Sequence, residues 1–163
     1  MVTFKKASAG IDFEIIAGLA DTIWKQHYIP IVGKPQIDYM LDKYQSADAI
    51  AAQVHGGFAY YLLQFENEFV GYISIKPEQT LLFLSKIYVL SVHRGKGIGK
   101  QAMTFVEDQA RSQQLKGIRL TVNVNNVISI AAYEKLGFQN NGPLVTDIGN
   151  GFIMDDYEML KFI

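Results

Sequence analysis

The chain has 163 residues, of which 49% are hydrophobic and 19% charged, with a formal net charge of −1. That length supports one core, so a single domain over residues 1–163 is expected. The charge leaves no excess of Lys and Arg for nucleic acid or an anionic membrane surface, and no apolar run approaches the roughly 20 residues that span a bilayer.

In chain order, Thr3 to Ala7 reads as a short strand. Residues 11–28 read as a helix with Phe13, Ile16, Ala20, Ile23, Trp24 and His27 on one side. Pro30 and Pro35 bracket an expected loop. A second helical region runs from Gln36 to about His55, with Ser46 placed to divide it as an N-cap. Phe58 to Phe65 and Phe69 to Ile75 predict a hairpin closed around Glu66-Asn67-Glu68. The run Leu81 to Leu90 is apolar on both faces, which predicts a central strand. A helix from about Gly97 to Gln113 carries Ile98, Ala102, Phe105 and Val106 in phase. Ile118, Leu120, Val122 and Val124 alternate as a strand does. Asn126 or Asn125 then caps a helix that ends near Leu136-Gly137. Phe138 opens a strand, Gly149-Asn150-Gly151 turns the chain, and Phe152 to Phe162 is the last strand. The order β-α-α-β-β-β-α-β-α-β-β predicts an α/β fold with a mixed sheet flanked by helices.

There is no cysteine, which excludes disulfides, thiolate metal sites and a cysteine acyl-enzyme. His27, His55 and His93 match no zinc spacing, so no metal is expected. The opening Met1-Val2-Thr3-Phe4-Lys5-Lys6 leads into no signal-peptide apolar region, and the expected location is cytoplasmic.

The most informative stretch is Val92-His-Arg-Gly-Lys-Gly-Ile-Gly-Lys100, between the apolar strand and an amphipathic helix. A strand entering a glycine-rich turn and then a helix presents free N–H groups and a positive helix end to an anion. The turn is no P-loop, because Gly99-Lys100 has Arg94 where a glycine is needed and Gln101 where Ser or Thr is needed. Nor is it a dinucleotide fingerprint, since Gly95, Gly97 and Gly99 have the wrong spacing. Downstream stands Asn126-x6-Tyr133-x3-Gly137-Phe138.

Arg94-x-x-Gly97-x-Gly99 followed by this second motif resembles the GNAT superfamily of acetyl-CoA-dependent N-acetyltransferases. The motifs cover about residues 85–140. The resemblance implies a centrally splayed sheet, with the strand ending Ile87-Tyr88-Val89 parting from the strand Ile118 to Val124. The pantetheine arm would pair there with the main chain of Ile87 and Val89. Main-chain amides from Arg94 through Lys100, a run that includes Gly95, Lys96, Gly97, Ile98 and Gly99, would receive the pyrophosphate. The side chains of Lys96 and Lys100 either add charge near the phosphates or simply solvate a helix start. Asn126 would cap its helix and orient the co-substrate.

Tyr133 would be the catalytic residue, donating toward the thiolate as it leaves. A phenol of pKa about 10 facing a thiol of about 8.5 makes full transfer uphill by about 2 kcal/mol, so stabilisation of developing charge is the expected role. Direct attack by an amine in a ternary complex is implied. Many relatives carry a glutamate before the pyrophosphate turn, whereas Thr80-Leu-Leu-Phe-Leu-Ser-Lys86 has no carboxylate. A water chain, Asp155 or Asp156 remain as the base. Both aspartates read more simply as surface charges on an edge strand.

Trp24, His27 and Tyr28 are the expected acceptor-side residues. Their region and the ending Asp147-Ile-Gly-Asn-Gly-Phe-Ile-Met-Asp-Asp-Tyr-Glu-Met159 resemble bacterial small-amine, including polyamine, acetyltransferases. The expected partner is therefore a small-molecule amine. A protein N-terminus, an amino acid, an antibiotic amine, or a non-catalytic acetyl-CoA sensor are the alternatives. The resemblance admits a homodimer, with the terminal strand available to pair across an interface.

Overall fold

The computed structural model describes residues 1–163. Its elements are β1 (Thr3–Lys6), α1 (Gly10–Val32), α2 (Lys34–Tyr44), α3 (Ala47–His55), β2 (Ala59–Phe65), β3 (Glu68–Pro77), β4 (Leu81–Val89), α4 (Ile98–Ser112), β5 (Gly117–Asn123), α5 (Val127–Lys135), β6 (Gln139–Gly149) and β7 (Phe152–Phe162). A 3₁₀ turn at Ser91–His93 joins β4 to the glycine-rich segment. The strands form one seven-stranded mixed sheet in the order β1-β2-β3-β4-β5-β7-β6. No helix is long and apolar enough to cross a membrane.

Helical periodicity buries one stripe of each helix. Ile16, Ala20, Ile23 and Trp24 of α1 pack with Ile37, Ile50, Tyr60, Leu62 and Tyr72 on one face of the sheet. Ile98, Ala102, Met103, Val106 and Ala110 of α4 pack with Ile73, Leu82, Ile118 and Leu120 on the other. The hairpin of β2 and β3 turns through Glu66 and Asn67 alone, both with positive φ (51° and 64°), and Glu68 already pairs with Phe65.

The expected loop between Pro30 and Pro35 does not form. Helix α1 continues through Pro30 to Val32, and only Gly33 separates it from α2. Pro30 sits in the exposed last turn, where the bond that proline cannot make is replaced by water at little cost. Pro35 falls in the first turn of α2, where an N–H would be unpaired anyway. Ser46 does divide the second helical region, its Oγ accepting from the Ala49 amide at 3.1 Å.

Two features of the sheet position everything that follows. The parallel pairing of β4 with β5 stops after Leu81↔Gly117, Leu82↔Ile118 and Phe83↔Arg119, and the strands then diverge. Within β4 the register against β3 steps from Ile75↔Leu84 to Ser74↔Lys86, leaving Ser85 as an extra residue. Such a bulge reverses the side-chain alternation. Leu82 and Leu84 before it, and Ile87 and Val89 after it, therefore face α4, whereas Tyr88 faces α1. This is why β4 looked apolar on both faces. It is central, but its second half borders an opening.

The last strand is not at an edge. β7 lies between β5 and β6 and is paired on both sides. The expectation of a free terminal strand available for an interface is corrected accordingly.

Candidate active site

The divergence of β4 and β5 opens a cleft of about 580 Å³ on the α4 side. Its floor is set by main-chain direction. On β3, a Cβ at Gly71 would stand 2.2 Å from the Tyr88 carbonyl oxygen, so Tyr88 directs its carbonyl at β3. The Leu90 amide likewise donates to Val70 at 2.8 Å. Strand alternation then turns the amide and carbonyl groups of Ile87 and Val89 away from β3, toward the side β5 has left. Tyr88 itself was expected among the co-substrate residues, but its main chain is committed to β3. Its ring packs edge-on to Trp24 and Tyr28.

At the mouth of the cleft, Gly95 and Gly97 adopt left-handed conformations (φ 79° and 76°), and Gly97 is the N-cap of α4 without a side-chain cap. The amides of Gly95, Lys96, Gly97, Ile98, Gly99 and Lys100 donate to no acceptor in the protein; the first helical bond of α4 comes from Gln101. A run of unpaired amides at a positive helix end is an anion cradle. Arg94 is excluded from the amide set, because its N–H is spent on the Ser91 carbonyl at 3.2 Å. The Arg94 and Lys100 residues line the cleft. The Lys96 side chain does not: it lies over the Phe65 ring, 5.7 Å from the centroid, and 3.1 Å from His93 Nδ1. The favourable contact with the aromatic face holds it there, so only its main chain remains at the mouth. The cradle's open space and unpaired donors fit a diphosphate, and the splayed strand edge fits an extended amide-bearing chain.

Tyr133 of α5 lines the cleft and packs edge-on to Phe138, 5.8 Å between centroids. Burial, with a smaller contribution from Tyr28, pushes its phenol well above the ordinary tyrosine value. It is therefore a neutral phenol at neutral pH, able to donate a hydrogen bond and not poised to act as a base. Asn126 is buried, caps α5 through Oδ1 to the Ser129 amide at 3.4 Å, and also lines the cleft. His27, expected on the acceptor side, lines this same cleft. Desolvation, then the nearby Arg94, lowers its pKa and favours the neutral ring.

On the α1 side lies a second cavity of about 400 Å³. It shares Tyr28, Ser85, Tyr88, Thr121 and Val122 with the first, so the two cavities meet at the splay. Tyr28 stands at the junction, its hydroxyl 3.0 Å from that of Tyr88. Trp24 lines the second cavity, yet it is 2% exposed and donates to the Tyr72 hydroxyl at 3.1 Å. It is wall and core at once.

The expectation that Asp155 and Asp156 are surface charges on an edge strand is corrected in part: their strand is paired on both sides, Asp155 is exposed, and Asp156 is buried. Asp156 pairs with Asn123 on β5, is 6% exposed, and faces the second cavity. Burial, then the neighbouring Asp155, raises its carboxyl to about 6, against the opposing pull of Lys86. Lys86 lines the same cavity and donates to Ser85 Oγ at 2.8 Å. Burial lowers its ammonium to about 8. Neither Lys86 nor the burial of Asp156 was accessible from periodicity. The bulge at Ser85 sends Lys86 to the α1 face, and the β6–β7 hairpin carries Asp156 inside the sheet.

A family model described as "Acetyltransferase (GNAT) family" matches residues 19–138. Streptothricin acetyltransferase of Escherichia coli is 33% identical over 106 residues, 64% of this chain and 56% of that protein. Spermine/spermidine N(1)-acetyltransferase of Bacillus subtilis (strain 168) is 29% identical over 91 residues, 50% of this chain and 60% of that protein. The matches thus span little more than half of these relatives. The crystal structure of the PaiA N-acetyltransferase from Thermoplasma acidophilum, in complex with coenzyme A, superposes with a TM-score of 0.81 at 20% identity, covering 100% of this chain and 99% of that one.

Proposed function

Because this chain belongs to the GNAT acetyltransferase family, we propose that it transfers the acetyl group of acetyl-CoA to a primary amine of a small molecule. One observation carries the reading: the unpaired amides of Gly95 through Lys100 stand at the mouth of the gap where β4 leaves β5. Acetyl-CoA supplies the activated acyl group as a thioester. The cradle amides hold its diphosphate, and the turned-out main chain of Ile87 and Val89 pairs with the pantetheine arm. Tyr133 directs its neutral phenol at the sulfur.

The acceptor enters from the α1 side and reaches the acyl carbon at the junction beside Tyr28. Asp156 removes one proton from the ammonium, which leaves nitrogen with the lone pair that attacks. A carbon–nitrogen bond forms, the carbon–sulfur bond breaks, and the thiolate, stabilised by hydrogen bonding from Tyr133, takes up the second proton that the nitrogen sheds as it becomes an amide. A carboxyl near 6 is ionised at neutral pH yet more basic than an ordinary aspartate, as this step requires. With no cysteine in the chain, no thiol carries the acyl group between donor and acceptor. The streptothricin and spermidine acetyltransferases among the relatives support a small-molecule amine as acceptor.

Coenzyme A should raise the melting temperature, and free thiol should appear when acetyl-CoA is mixed with a panel of amines. Absence of any shift at about millimolar coenzyme A overturns the reading. A shift without thiol release from any amine reduces the protein to a binding module.

A further inference from the structure

The second cavity holds a charge that acetyl transfer does not require. Its walls are largely aromatic and apolar, with Trp24, Met40, Tyr44, Phe58 and Phe83 among them. Two side chains bring formal charge to it, Lys86 from β4 and Asp156 from β7. They flank the splay from opposite sides and make no direct ion pair; Lys86 donates to Ser85 Oγ instead. An ammonium and a carboxylate held in a largely apolar cavity, close enough to feel each other but not bonded, are destabilising to the fold. They complement a ligand that brings both opposite charges.

We propose that the acceptor is a zwitterion, a primary amine that also carries a carboxylate or similar anion on an apolar or aromatic body, with its ammonium at Asp156 and its anion at Lys86. This rests on the acetyl-transfer reading above and narrows its acceptor. A polyamine fits the cavity poorly. Its first ammonium has Asp156, but the next meets Lys86 in surroundings of low dielectric, where like charges repel strongly. A plain apolar monoamine would satisfy Asp156 and strip water from Lys86 without replacing it. An amino acid with a large apolar side chain meets all three features, and a cavity of about 400 Å³ suits a molecule of that size.

The test measures binding, so that it does not depend on turnover. Isothermal titration calorimetry on the protein saturated with coenzyme A compares phenylalanine, leucine and methionine, each with its decarboxylated amine, and spermidine. At least one amino acid should bind roughly ten- to a hundredfold more tightly than its decarboxylated partner, the effect of one charge-assisted contact. Lys86→Met should abolish that preference and Lys86→Arg should retain it, both with a melting transition confirming the fold. Tightest binding by spermidine overturns the proposal. So does equal binding of each pair, failure of every amino acid to bind, or a preference that survives Lys86→Met. The broader reading fails by a different sign, the absence of a coenzyme A-induced thermal shift.

Discussion

Gly99 offers a substitution whose effects on folding and on binding have opposite signs. The residue lies in the first turn of α4 with ordinary helical backbone, and a Cβ built there meets nothing within 4 Å. Replacing glycine by alanine in a helix stabilises by about 0.5–1 kcal/mol. In a chain of this length that raises the melting temperature by about 1–4 °C. The same methyl would occupy open space beside the unpaired amides of Gly95 through Lys100, space that a bound diphosphate would need for close approach. Loss of one charge-assisted hydrogen bond, about 1.5–3 kcal/mol, weakens coenzyme A binding roughly ten- to a hundredfold. Gly97→Ala is the contrast. Its φ of 76° is left-handed, so a side chain costs about 1–2 kcal/mol and lowers the melting temperature by about 2–8 °C. Thermal melts give the first quantity, and calorimetric titration with coenzyme A at fixed ionic strength gives the second. A Gly99→Ala protein that melts higher and binds coenzyme A as tightly as the wild type would refute the assignment of these amides to the diphosphate.

Tyr133→Phe should lower kcat by about a hundredfold or more while coenzyme A affinity is kept, since the ring still packs on Phe138; an unchanged kcat removes the phenol from the chemistry. For Asp156, kcat/KM should rise with pH through about 6 as the carboxyl ionises, and Asp156→Asn should lower kcat and erase that limb. A pH–rate profile unaltered by the substitution refutes the role. The same residue predicts a stability effect. Its folded pKa lies above the ordinary 3.8, so between 3.8 and about 6 the native state holds a proton that the unfolded chain has released. Stability is therefore lost as pH rises through that window and stays lost above it. Asp156→Asn should melt higher than the wild type at pH 7, with the two melting curves converging near pH 4.

Local signals carried most of the fold. Ser46 ends one helical run and starts another because its hydroxyl reaches an amide three residues on. Hydrophobic periodicity placed the helices, and the glycine run placed the cradle, since a free helix end depends only on the residues that compose it. Pro30 is no helix boundary, because so near the exposed end of α1 the lost bond and the crowding of the ring are tolerated.

The candidate site divides along the same line. Tyr133, Asn126 and the turn from Arg94 to Lys100 stand in contiguous motifs, and their amino acids and spacing made them visible one segment at a time. Lys86 and Asp156 belong to no motif. Lys86 reaches the second cavity, on the α1 side, only because Ser85 is extra in the pairing of β4 with β3. Asp156 is buried only because β7 inserts between β5 and β6 and sets Asp156 against Asn123. Propensity and capping act over a few residues and can be read from the chain. Which strand lies beside which, and where a bulge reverses a face, is decided by packing distant segments together, and that packing placed two opposite charges around one cavity.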